Sequence, residues 1–169
     1  ILRNNAYRKL DVALLGAPKI ALFLSRCPEL VDHVAMFDIN AEMVQTINNL
    51  EIPNIHGITY DALYPVHPIT VHNYDVVITD PPWHVEHYML FADRSWEWLR
   101  PLGEAYIAFF SHETRPEASS EIKELQRRFD NGFQLWRFEE RVLGYEVPVY
   151  EAQSFSSQGL HVQRRANYG

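Results

Sequence analysis

The sequence predicts an α/β protein: a doubly wound sheet of about seven strands, mostly parallel with an antiparallel last strand, and helices on both faces. Three observations carry this. Short apolar runs alternate with stretches of helical spacing, in the order β-α-β-α-β-β-α-β-α-β-β. The strongest runs are apolar throughout rather than at every second residue, the pattern of strands covered on both faces. Four of them end in turn or polar residues, where the chain has to leave the sheet.

Val12–Gly16 (VALLG) reads as the first strand. Pro18–Arg26 reads as a helix, since proline is tolerated in a first turn and Pro28 follows its end. Val34–Ile39 (VAMFDI) is the second strand. Asn40 is placed to cap a helix from Ala41 to about Leu50, whose Met43, Val44, Ile47 and Leu50 fall at helical spacing. Ile55–Tyr60 is the third strand, followed by a proline- and histidine-rich connection from Asp61 to His72. Asp75–Thr79 is a fourth buried strand that runs into Asp80-Pro81-Pro82-Trp83. Two successive prolines cannot continue a central strand, so the chain turns away there. A helix from about Val85 to Leu99 and a strand at Ala105–Phe110 come next. A polar helix, Glu117–Phe129, stops at Asn131-Gly132. Phe133–Val142 alternates like a strand, and Leu160–Arg164 reads as the last, antiparallel one. Trp96 and Trp98 read as core or interface residues of the long helix, and Cys27 as a small buried apolar residue.

A chain of 169 residues is one domain's worth of material, and 47% hydrophobic residues against 22% charged exclude wholesale disorder. The single cysteine excludes an internal disulfide framework and a Cys-rich zinc site, and fits a reducing, cytoplasmic compartment. No apolar run approaches the roughly 20 residues of a bilayer span, so no membrane partner is expected. The net charge of −7 argues against a general polyanion binder. Arg127, Arg128, Arg137, Arg141, Arg164 and Arg165 are expected as solvated charges rather than a nucleic-acid face. The chain opens on Ile1, as expected of the catalytic piece of a longer chain.

In doubly wound sheets ligands bind beyond the carboxyl ends of the strands, where the strand order switches. Four segments fall at such ends: Leu15-Gly16-Ala17-Pro18, Asp38-Ile39-Asn40, Tyr60-Asp61-Ala62 and Asp80-Pro81-Pro82-Trp83. Gly16 either admits a ligand close to the backbone or is ordinary turn chemistry. No phosphate-binding loop and no full G-x-G-x-x-G is present, which argues against a nucleoside triphosphate or a dinucleotide. Asp38 stands about 20 residues beyond the turn, the spacing of an acid that grips ribose hydroxyls. The same residue also suits the dipole of the helix that follows. Asp61 is either an acceptor for an adenine amino group or a loop acid.

The fourth segment carries most of the signal. Its prolines fix the backbone, so the carbonyls of Asp80 and Pro81 and the Asp80 carboxylate can form an acceptor cage for an amine N–H. Trp83 offers a flat face to a base or a cation. Such a cage orients a nitrogen lone pair and stabilises the charge that develops as it attacks an alkyl sulfonium. Glu86, on the following helix, is a second candidate for proton handling. His84, Glu86 and His87 lie after the cage and His67 and His72 before it, without a complete ligand set, so no metal is expected.

With these motifs in this order, the sequence resembles the class I S-adenosylmethionine-dependent methyltransferases, a superfamily with a Rossmann-like doubly wound sheet. Within it the sequence is similar to the catalytic domain of the bis(aminopropyl)spermidine synthases, the branched-chain polyamine synthases. The similarity runs from Val12 to about Phe138, through VALLG, VAMFDIN, YDALYP, YDVVITDPPWHVE, LRPLGEAYIAFFS and ETRPEAS to FDNGF. It implies a cofactor, S-adenosylmethionine or its decarboxylated form, held by Leu15, Gly16, Ala17, Pro18, Asp38, Ile39, Asp61 and Ala62. It also implies transfer of an aminopropyl or methyl group to a small cationic amine by Asp80, Pro81, Pro82, Trp83 and Glu86. One departure stands out: the acids that follow the first-strand glycine in that family are Ala17-Pro18-Lys19 here. The same residues leave room for an adenine-amino or protein-lysine methyltransferase, and for a non-catalytic Rossmann-like binding module. The oligomeric state is left open.

Overall fold

A computed structural model of the chain describes residues 8–66, 72–110, 112, 114–132, 143–146 and 165–168. The chain divides into two compact units, Ile1–Ala108 and Phe109–Gly169.

The first unit contains β1 (Leu10–Leu15), α1 (Pro18–Leu24), β2 (Val31–Asp38), α2 (Ala41–Asn49), β3 (Ile55–Thr59), β4 (Tyr74–Thr79), α3 (Val85–Trp98) and β5 (Leu99–Ile107). All five strands are parallel, in the order β3-β2-β1-β4-β5. The apolar run of β1 is buried on both faces, as its lack of alternation requires. Val12 and Leu14 pack with Ala21 and Leu24 of α1 and Val44 and Ile47 of α2. Ala13 and Leu15 belong to the opposite face, with Trp98, Leu90 and Phe91 of α3. Asn40 caps α2 through its side-chain oxygen, which accepts from the N–H groups of Glu42 and Met43 at 3.0 and 3.2 Å.

Trp98, 1% exposed, anchors the α3 face. It stacks on Phe37 at 4.3 Å between centroids, and Tyr60 and Tyr74 close around it. Trp96 is 64% exposed. Two residues apart on a helix stand about 200° apart around the axis, so the two indoles cannot share a face. Cys27 is half-buried.

At the amino end of the sheet Arg100 bridges two strands. It donates to Asp11 at 2.7 Å and to Asp75 at 3.0 Å, and Asp75 also accepts the N–H of Asp11 at 2.9 Å. The bridge needs a break in β5. Tyr74 pairs with Leu99 but Val76 with Glu104, so residues 100–103 leave the ladder, with Leu102 at φ 70°. The strand expected at Ala105–Phe110 therefore begins six residues earlier, on the near side of a bulge that reads as a turn.

The second unit contains α4 (Ala118–Gly132), β6 (Leu143–Glu146) and β7 (Arg165–Tyr168). Within it Leu125 and Phe129 are buried, the ring of Phe109 lies 5.8 Å from that of Phe129, and Arg115 sits 4.4 Å over the Phe110 ring. Arg127 and Arg128 both pair with Glu124. The expected doubly wound, mostly parallel sheet is present, with five strands among the described residues. Five strands form the parallel sheet, while β6 and β7 form a separate antiparallel ribbon, Leu143 opposite Tyr168 through Glu146 opposite Arg165. An alternating pattern marks a strand but does not choose its partner. The strands expected at Phe133–Val142 and Leu160–Arg164 lie outside the described residues. Among the described residues, no helix is long and apolar enough to cross a membrane.

Candidate ligand and alkyl-transfer site

The strand order places the topological switch between β1 and β4. From β1 the chain winds outward through α1 on one face, and from β4 it winds the other way through α3 on the opposite face. A crevice at the carboxyl ends of these two strands follows from that divergence.

Backbone hydrogen bonds lace the strand ends into one rim. Gly16 N–H donates to the Phe37 carbonyl at 2.9 Å, Asp80 N–H to the Leu15 carbonyl at 3.2 Å, and Tyr60 N–H to the Asp38 carbonyl at 2.9 Å. Leu15, Gly16, Ala17 and Pro18 thus meet Asp80-Pro81-Pro82-Trp83 at the β1/β4 junction. Asp38 and Ile39 lie one strand out, and Asp61 and Ala62 two. The four segments picked from the sequence share a single edge of the sheet.

Gly16 has φ +68°, and a Cβ there would lie 3.3 Å from the Asp80 carbonyl oxygen and 3.5 Å from the Phe91 ring. Only glycine takes this conformation without strain and leaves the junction open. Each acid of the outer rim is fixed by its own turn. Asp38 Oδ1 accepts the Asn40 N–H at 2.8 Å, and Asp61 Oδ1 accepts the Leu63 N–H at 2.9 Å. Among the described residues, the second oxygen of each carboxylate accepts no hydrogen bond. Ile39 is 68% exposed beside Asp38, an apolar surface that water does not favour. Ala62 is buried, and its carbonyl accepts from Arg94 Nε at 2.9 Å, which ties the β3 loop to α3.

In the β4 turn Pro81 is fully buried and locks the backbone, whereas Trp83 is 40% exposed. His84 N–H donates to the Pro82 carbonyl at 2.7 Å, and α3 begins one residue later. Asp80 has an open, exposed edge, but the protein mass around its carboxyl displaces enough water to push its pKa above the ordinary value; the Lys19 ammonium pulls it back down. Glu86 is exposed in the first turn of α3.

Three residues of this edge carry no motif in the sequence. Thr79 ends β4 fully buried, with no hydrogen-bond partner for Oγ1 among the described residues. Phe91 walls the junction from α3, and Lys19 faces Asp80 from α1. Phe91 is recoverable from helical spacing with Tyr88, Ser95 and Trp98; the other two depend on the pairing of β1 with β4. The rings of His84 and His87 lie 5.6 Å apart. Among the described residues, no three His, Cys, Asp or Glu side chains gather as a metal site.

Strand order and glycine turn together define a class: a Rossmann-like, doubly wound domain, a fold this chain shares with S-adenosylmethionine-dependent methyltransferases. An S-adenosylmethionine-dependent methyltransferase from Aquifex aeolicus superposes with a TM-score of 0.56 at 19% identity, over 78% of this chain and 76% of that one. The chain belongs, more narrowly, to the branched-chain polyamine synthase A C-terminal domain family, whose model matches residues 11–168. The N(4)-bis(aminopropyl)spermidine synthase of Thermococcus kodakarensis is 29% identical over 130 residues, 73% of this chain and 36% of that protein. The enzyme of the same name from Methanocaldococcus jannaschii is 29% identical over 140 residues, 79% of this chain and 38% of that protein. The chain thus spans little more than a third of the length of these relatives. The branched-chain polyamine synthase from Thermus thermophilus, solved with N4-aminopropylspermidine and 5′-methylthioadenosine, has the same fold. Its TM-score is 0.72 at 17% identity, over 95% of this chain and 48% of that one.

Proposed function

We propose that the β1/β4 edge takes an adenosyl-sulfonium donor and transfers an alkyl group, an aminopropyl unit, to the nitrogen of a small cationic amine. The observation that carries this is the close approach of Gly16 to Asp80: a Cβ would fill the space at the switch point where a nucleoside and an amine have to meet. The names of the relatives, aminopropylated-spermidine synthases, support the choice of transferred group.

The residues present fit such a donor. The Leu15–Pro18 backbone would lie along it, Asp38 would accept from its ribose, Ile39 and Ala62 would flank the base, and Asp61 would accept the base amino group. The donor supplies a carbon bonded to a positively charged sulfur, which leaves as a neutral thioether. The chain's own residues do the rest. An aliphatic ammonium with a pKa near 10 has to lose a proton before its lone pair can attack. Asp80, with its carboxyl pushed upward, accepts that proton more readily than an ordinary aspartate. Pro81 and Pro82 hold the turn rigid, so that the nitrogen is oriented without a reorganisation cost. Trp83 covers the cationic acceptor with an aromatic face. The N–C bond forms as the C–S bond breaks, and the proton passes to Asp80 and then to water.

The test is a donor screen read by mass spectrometry. The protein is incubated with a diamine and with either S-adenosylmethionine or its decarboxylated form. An amine heavier by one aminopropyl unit, with methylthioadenosine released, is the expected result. A methyl gain would replace the transferred group, and binding of neither donor would overturn the reading.

A further inference from the structure

Arg94 breaks the pattern of α3. It shares helical spacing with Phe91, Ser95 and Trp98, on the side of the helix where Phe91 and Trp98 pack with Ala13 and Leu15 of the sheet. A guanidinium there, with its side chain 13% exposed, is costly unless it is paired. It is paired twice. Glu97, one turn on, accepts from Nη1 through both carboxylate oxygens, at 2.8 and 2.9 Å. Nε donates to the Ala62 carbonyl at 2.9 Å, 32 residues away in the chain. The pair with Glu97 aims the guanidinium, and Ala62 is what it is aimed at.

The Ala62 loop carries its own internal bonds. Asp61 Oδ1 accepts the Leu63 N–H at 2.9 Å, the Asp61 carbonyl accepts the Tyr64 N–H at 3.0 Å, and Tyr60 O–H donates to the Tyr64 carbonyl at 2.8 Å. These bonds set the shape of the loop. Among the described residues, the hydrogen bond from residues 61–64 to another element is the one to Arg94. The same helix walls the β1/β4 junction through Phe91, one turn before Arg94. One helix thus spaces the Asp61 carboxylate from the point where Gly16 meets Asp80.

We propose that Arg94 is a positioning residue of the nucleoside site. By holding the Ala62 carbonyl it places the Asp61 carboxylate against the amino group of the base, and so sets a preference for a 6-aminopurine nucleoside over a 6-oxopurine one. This rests on the reading of Asp61 as the acceptor for that amino group. Arg94 acts through the loop and not on the reacting atoms. A hydrogen bond to an ionised acceptor is worth roughly tenfold or more in affinity, and it weakens steeply once its partners swing out of line.

The test is calorimetry with 5′-methylthioadenosine and 5′-methylthioinosine, whose 6-oxo group gives the carboxylate no donor at that position. It compares the wild type with Arg94→Lys, Arg94→Met and Asp61→Asn, and thermal melting checks that each variant folds. The wild type should prefer the adenine nucleoside by about tenfold or more. Asp61→Asn should erase that preference and Arg94→Met most of it, while Arg94→Lys, which keeps one donor for the Ala62 carbonyl, should retain part. A general loss of packing would weaken the two nucleosides alike and leave their ratio unchanged. The wild-type ratio kept in both Arg94 variants overturns the role of Arg94 alone. Equal binding of the two nucleosides by the wild type overturns the role of Asp61, and this inference with it. Failure of the wild type to bind either one overturns the donor site itself.

Discussion

Gly16 and Asp80 belong to different strands, yet a single added carbon on Gly16 would stand 3.3 Å from the Asp80 carbonyl oxygen. The two ends of the crevice are therefore built against each other. Gly16→Ala forces a side chain into φ +68° and against that carbonyl, and should cost about 1–2 kcal/mol in chemical denaturation. It should weaken 5′-methylthioadenosine in calorimetry by more than the loss of stability explains, because the Asp80 turn has to shift.

Asp80 is expected to trade stability for function. Its folded-state pKa lies above the unfolded value, so the stability its protonated form contributes is complete below the unfolded pKa and lost as pH rises through the folded one. At pH 7 the ionised carboxylate is a burden on the fold. Asp80→Asn should therefore melt no lower than the wild type at pH 7, the difference fading in acid, while alkyl transfer disappears.

The pH profile of transfer follows from the same shift. The acidic limb should have a midpoint above the ordinary aspartate value of about 4. Lys19→Gln removes the charge that lowers this carboxyl, so the limb should move further toward neutrality. Rate measurements across acid and neutral pH on both proteins check the direction.

At the other end of the sheet, Arg100 holds Asp11 and Asp75 together. Arg100→Met leaves the two carboxylates with only the exposed Arg8, 3.7 and 3.4 Å away, and should cost about 1–3 kcal/mol in urea unfolding. The crevice is at the far end of the strands, so nucleoside affinity should be unchanged.

Trp98→Phe should be tolerated better than Trp98→Ala. The indole N–H has no partner among the described residues, so its removal gives back a desolvation cost, whereas alanine opens a cavity among Phe37, Tyr60 and Tyr74 worth about 3–5 kcal/mol. Thermal melts of the two variants compare them.

Much of this architecture is legible along the chain because it rests on local signals. The unbroken apolar runs at Val12–Leu15 and Val76–Ile78 mark central strands, and Asn40 marks a helix start that the bonds to Glu42 and Met43 bear out. What escaped the sequence is what depends on distant pairing. The Arg100 bridge spans 89 residues to Asp11 and sits in a proline-glycine stretch that looks like a loop. Lys19 acquires meaning only once β4 lies beside β1. The pairing of Arg165–Tyr168 with Leu143–Glu146 likewise joins segments far apart in the chain and carries no local signal.

Asp80, as proposed, serves an amine at the β1/β4 edge rather than the fold or the nucleoside. A single-turnover measurement tests it most directly: decarboxylated S-adenosylmethionine and a diamine, with the mass of the amine followed for the wild type and Asp80→Asn, and nucleoside binding measured in parallel. The wild type should give an aminopropyl gain and Asp80→Asn none, with 5′-methylthioadenosine bound equally by both. Equal transfer by the two proteins would contradict it.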